Sequence, residues 1–108
     1  MNDRFQIRFL ESANRYIETL SKTEKANVIG DVYALKSGRP EAVRTKQLRG
    51  PIRELIVGHH RITYFKLEST LFFVRGFRKK TQKTPLKEIE YAEAIYRSLS
   101  MWKPIWKK

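Results

Sequence analysis

The sequence contains no cysteine, which excludes a disulfide framework and any thiolate nucleophile. Its 5 glycines build neither a P-loop nor a GxGxxG pattern, so no nucleotide-cradling loop is encoded. No apolar run approaches the roughly 18 residues a membrane span requires, and the first residues lack the apolar stretch of a secretory signal. A cytoplasmic protein is expected. Acidic residues are scarce where the chain is most basic: residues 39–87 hold three Asp/Glu against thirteen Lys/Arg. Clustered carboxylates for magnesium are therefore not expected, and the adjacent pair His59–His60 falls short of a zinc ligand set. The expectation is no metal and no small-molecule cofactor. No internal repeat and no low-complexity tract is present.

What is present is a foldable core and a concentrated charge. The chain has 108 residues, 41% of them hydrophobic, with 6 Phe, 5 Tyr and 2 Trp, enough for one domain with one core. That domain is placed at residues 1–100, with a basic aromatic tail at 101–108. The formal net charge is +12. Residues 1–38 carry six Lys/Arg and five Asp/Glu, and residues 88–108 carry four and three, so the middle segment holds nearly all the excess. A strongly electropositive side follows. Such a field concentrates polyanions, and phosphate neutralisation with counterion release favours nucleic acid as the partner.

Hydrophobic spacing predicts the elements. FQIRFL (5–10) alternates as a half-buried strand, and Ala13, Tyr16, Ile17 and Leu20 follow helical spacing. Ser21 with Glu24 forms a capping box that opens a second helix, which buries Val28, Ile29, Val32, Tyr33 and Leu35 and ends at SGRP (37–40). The two helices read as a hairpin. After a basic connector, EAVRTKQLRG (41–50), the runs IRELIV, RITYFKL and LFFVRGF predict an antiparallel meander, with Pro51 at the start of its first strand. Thr84 suits an N-cap and Pro85 a first helical position. Ile89, Ala92, Ile95, Tyr96 and Leu99 then mark a terminal helix. The predicted class is α+β in the order β-α-α-β-β-β-α, an antiparallel-rich sheet with helices on one face and the other face free for a ligand.

Cation chemistry suits RNA. Its 2′-hydroxyl is an internal nucleophile, so a protein need only align it, move protons and stabilise the charge that develops on phosphorus. Arg and Lys donors supply that stabilisation, each worth about 2–4 kcal/mol by analogy with oxyanion-hole donors. His59 and His60, expected in a turn, are candidate proton shuttles.

The segments KQLRG, IRELIV, HRITYF and LFFVRGFRKKTQKTPLKEIEYA resemble the RelE/ParE toxin superfamily, and within it the HigB-like branch of phage-derived type. KTQKTP, after a Gly-Phe strand end and before a helix with EIExA, is the most specific part. The resemblance implies the toxin of a type II toxin–antitoxin system. It further implies neutralisation by a cognate antitoxin, expected to be a helix-turn-helix protein, entry into the ribosomal A site, and metal-independent cleavage of mRNA. The ParE side of the superfamily inhibits DNA gyrase, so a gyrase inhibitor or a non-catalytic binding protein is the alternative. Carried onto this chain, the resemblance places Arg61 at the strand arginine, Arg78 at the basic residue after the last strand's glycine, and Lys79, Lys80 and Lys83 in the motif itself. With His60, the expected catalytic set is Arg61, Arg78, Lys79 and His60. The expected nucleic-acid-binding set is Lys46, Arg49, Arg53, Lys80 and Lys83. One departure stands out: many relatives read Glu-Leu-Arg where this chain has Glu54-Leu55-Ile56. Either Arg53 substitutes from the opposite side of the strand or one phosphate goes without its arginine. Tyr91 and Tyr96 are candidates for a C-terminal catalytic tyrosine, and Trp102 and Trp106 for docking on the core, antitoxin contact or base stacking.

Overall fold

The computed structural model describes residues 3–101. Strand β1 (Gln6–Phe9) leads into helices α1 (Glu11–Glu18) and α2 (Lys22–Lys36), and a 3-10 turn (Pro40–Ala42) follows. Strands β2 (Arg44–Arg49), β3 (Ile52–Val57), β4 (His60–Leu67) and β5 (Thr70–Arg78) come next, and helix α3 (Leu86–Met101) closes the chain. The sheet order is β1-β5-β4-β3-β2, with β1 parallel to β5 and the other pairs antiparallel. The expected meander is thus β3–β5. The capping box also forms, Ser21 Oγ accepting from Glu24 N at 3.1 Å and Glu24 Oε1 accepting from Ser21 N at 3.3 Å. Trp102 and Trp106, with the tail beyond Met101, lie outside the described residues.

Two expectations need correction. The basic connector is not a loop: residues 44–49 form the edge strand β2, whose backbone ladder to β3 holds it. Leu48 is the only large apolar residue in RTKQLR, so alternation cannot announce the strand. Its cations suit an exposed edge, where charge discourages pairing with other chains. The second correction concerns the free face. Helices α1 and α2 cover one side of the sheet, packing Ala13, Ile17, Val28, Val32 and Leu35 on Leu55, Ile62, Leu71 and Phe73. Helix α3 covers part of the other side, over Ile52, Phe65 and Val74. Phe65 is fully buried, and Tyr96 meets it edge-on with ring centroids 5.0 Å apart. Burying such a ring contributes about 2–3 kcal/mol, which binds α3 to this face. Tyr96 is therefore a packing residue.

The segment before α3 also differs from its expected role. The Thr84 hydroxyl donates to Glu54 Oε1 at 2.8 Å, and Glu88 N reaches back to Pro85 O at 3.0 Å. Helix α3 begins at Leu86, so Thr84 stands two residues ahead of it, and its hydroxyl hydrogen ties the segment to a buried carboxyl group of β3.

Candidate nucleic-acid interface

Pairing register decides which cations share a face, because successive strand residues point to opposite sides. Arg44, Ile56, Arg61 and Phe77 stand in one row across β2–β5, and Lys46, Glu54, Thr63 and Arg75 in the next row on the same face. Helix α3 leaves the first row open. At the β4–β5 end of that row lies an open cleft of about 450 Å³, lined by His59, Arg61, Lys79, Lys80, Thr81 and Gln82. Gly58, at φ 61°, turns the chain between β3 and β4, and Arg61 Nη1 donates to Gly58 O at 2.8 Å and to His60 O at 3.0 Å. Lys79 N donates to His59 O at 2.8 Å, which pins the start of the basic segment against the same turn. One guanidinium and two ammonium groups thus border a cleft whose lining includes no acidic residue. An anion with several acceptor oxygens, such as a phosphodiester, suits that lining.

The other expected residues divide by the same register. Lys46 is exposed on the Arg61 face, and Lys80 and Lys83 are exposed in the segment after β5. Arg78 pairs with His60, so it falls on the face opposite Arg61. The two arginines do not converge on one point. Arg53 also lies on that opposite face and donates from Nη2 to Thr45 Oγ1 at 2.9 Å, so the row of Arg61 holds no arginine at the place of Ile56. Arg49 is bidentate to Glu93 of α3, with Nε–Oε2 at 2.8 Å and Nη2–Oε1 at 2.6 Å. That pair holds Glu93 below its ordinary carboxylate range and ties the helix to the sheet edge. Arg75 is occupied as well, on Glu88 Oε1 at 3.0 Å and over the Tyr91 ring at 3.9 Å, so Tyr91 serves as its platform. Arg44 joins the face without any sequence motif to single it out. Only residues 44–49 recognised as a strand would put Arg44 and Lys46 on one side.

His60 is corrected from proton shuttle to clip. It is buried, with Nδ1 2.6 Å from Tyr16 Oη and Nε2 3.1 Å from Glu24 Oε2, so it joins α1, α2 and β4 on the side away from the cleft. Burial raises the Tyr16 pKa, an effect the nearby Arg78 cation opposes and the Glu24 charge adds to. The Glu24 pKa falls below its ordinary 4.5, chiefly through the His60 contact and then through Ser21. A depressed carboxyl pKa stabilises the fold above 4.5, and that contribution disappears as pH falls through the lower folded value. Urea denaturation from neutral pH to below 4.5 should therefore show an acid-induced loss of stability that Glu24→Gln reduces. An identical acid limb in the variant rejects this linkage.

Among the described residues, no three His, Asp or Glu side chains converge as a metal site. The sequence matches the family described as "Phage derived protein Gp49-like" over residues 15–97. The fold is similar to that of the isolated RelE toxin of E. coli, at 21% identity and TM-score 0.57, covering 86% of this chain and 97% of that one. The RelBE2 toxin–antitoxin complex of Mycobacterium tuberculosis is similar at 22% identity and TM-score 0.59, covering 70% and 99%. The archaeal RelE–RelB complex of Pyrococcus horikoshii is similar at 12% identity and TM-score 0.62, covering 69% and 94%. No curated protein sequence matches. At these identities the structural likeness bears on the fold, and the match over residues 15–97 bears on the family.

Proposed function

We propose that this chain, which belongs to the phage-derived Gp49-like family and has the RelE fold, is the toxin of a type II toxin–antitoxin pair and cleaves ribosome-bound mRNA without a metal. The observation that carries this reading is the cleft in which Arg61, steadied by two backbone carbonyls, meets Lys79 and Lys80. In the reaction the RNA 2′-oxygen bonds to phosphorus and the P–O5′ bond breaks, leaving a 2′,3′-cyclic phosphate and a 5′-hydroxyl. Arg61, Lys79 and Lys80 offset the charge that grows on the phosphoryl oxygens. His59 lines the cleft where His60 does not, and its imidazole takes the 2′-hydroxyl proton or supplies the one the 5′ oxygen needs. Lys46, Lys83 and Arg44 hold the strand on either side, and Arg78 contacts RNA from the rim of the opposite face. Structures with this fold include toxin–antitoxin complexes, which supports a cognate antitoxin as protein partner.

Induction in cells should arrest translation, and primer extension should map new 5′ ends inside translated message. DNA-damage signalling with intact message would instead indicate gyrase inhibition. The phosphate contacts have a separate signature. Replacing both Lys79 and Lys80 by alanine should lower the salt slope of single-stranded RNA binding by about 1.4, at roughly 0.7 for each phosphate no longer neutralised. Fluorescence anisotropy across a salt series measures it, and an unchanged slope rejects those contacts.

A further inference from the structure

Beneath the cleft lies a carboxyl group that no chemistry above uses. Glu54 is fully buried in the middle of β3, in register with Thr63 and on the face that carries Arg61. Its Oε1 accepts from the Thr84 hydroxyl at 2.8 Å, and its Oε2 stands 3.9 Å from Arg61 Nε. These two facing atoms, Glu54 Oε2 and Arg61 Nε, are the buried side-chain nitrogen and oxygen atoms left without a hydrogen bond among the described residues. A buried polar atom left unpaired is costly, and a buried carboxyl beside a guanidinium acts on it at low local dielectric.

The geometry gives Glu54 two connections. Through Arg61 it reaches one wall of the cleft. Through Thr84 it reaches the end of the segment that carries Lys79 and Lys80 along the other wall. We infer that Glu54 is a positioning residue for the phosphate site, holding the Arg61 guanidinium in place by charge while Thr84 fixes the basic segment to the same carboxyl group. It does not touch RNA, because it is closed off from solvent. The role in cleavage rests on the ribonuclease reading above, whereas the hold on Arg61 does not.

Two variants and two readouts test this. Glu54→Gln keeps the shape and an oxygen for Thr84 but removes the charge, and Thr84→Val removes the hydroxyl alone. On ribosome-bound message, Glu54→Gln should lower kcat on the order of 10- to 100-fold with KM little changed, as a displaced catalytic group does. Thr84→Val should lower it by a smaller factor. Added to Arg61→Ala, Glu54→Gln should lower kcat no further, because its effect passes through Arg61. Independently of activity, hydrogen exchange of the buried Arg61 Nε–H, followed by NMR, should speed up about tenfold or more in Glu54→Gln. Unchanged exchange in Glu54→Gln overturns the inference, as does a further full loss of kcat in the Arg61→Ala background. Wild-type protein that cuts no message rejects the ribonuclease reading, and the exchange measurement then still decides the role of Glu54.

Discussion

Arg61→Ala should reduce cleavage of ribosome-bound message on the order of 100- to 1000-fold, the loss that follows removal of a preorganised donor from a developing oxyanion. Growth arrest on induction should vanish with it. Arg61 is the guanidinium in the cleft, and its side chain is only 12% exposed, so its position is set by Gly58 O, His60 O and Glu54. The same substitution leaves Glu54 buried without its cation, a change that costs about 3 kcal/mol or more in stability. Lost activity and lost fold must therefore be separated. The double variant Arg61→Ala with Glu54→Gln should regain most of the melting temperature and none of the cleavage. Recovery of cleavage in that variant would remove Arg61 from the reaction.

Gly76→Ala should destabilise the fold by about 3 kcal/mol, at the upper end of overpacking costs, and lower the melting temperature on the order of 10–20 °C. Gly76 pairs with Ile62 on the side covered by α1, and the Tyr16 ring lies on its backbone. A Cβ there would overlap Tyr16 Cδ2 and lie 2.7 Å from Cγ and 3.0 Å from Cβ of the same residue. Because even the Tyr16 Cβ is crowded, a rotamer change cannot relieve the contact and α1 must shift. That shift pulls the phenol away from His60 and opens the clip to Glu24. Calorimetry of the purified variant checks this, and an unchanged melting temperature would mean that α1 does not press on the sheet at Gly76. The glycine of the GFRKKTQKTP segment thus serves the packing of α1, while the cations after it face solvent.

Most of the fold was legible because burial writes a period into the sequence. Phe5, Ile7 and Phe9 alternate, Val28, Val32 and Leu35 recur at helical spacing, and Ser21 with Glu24 marks a helix start. β2 was hidden because an edge strand facing solvent needs backbone partners rather than apolar side chains. The charge count correctly located a basic segment, yet it could not separate free cations from paired ones. Arg49 finds Glu93 44 positions away, and no local pattern reveals such a partner. Arg61 and Arg78 read as co-workers until the register set one beside Phe77 and the other beside His60, on opposite faces. His60 and His59 were equal candidates by sequence. One step along the chain buries the first under α1 and α2 and leaves the second at the cleft. Glu54 was visible only as part of a departure from the family pattern, and its contacts to Arg61 and Thr84 required the sheet and the turn before α3 to be in place.

The most direct test of the central claim uses purified protein, a defined message and programmed ribosomes, with primer extension and end-group analysis of the products. Cleavage within the message only when ribosomes are present, leaving 2′,3′-cyclic phosphate and 5′-hydroxyl ends and abolished in Arg61→Ala with Glu54→Gln, is the result predicted. Message that stays intact on the ribosome, or that is cut equally when free, would contradict it.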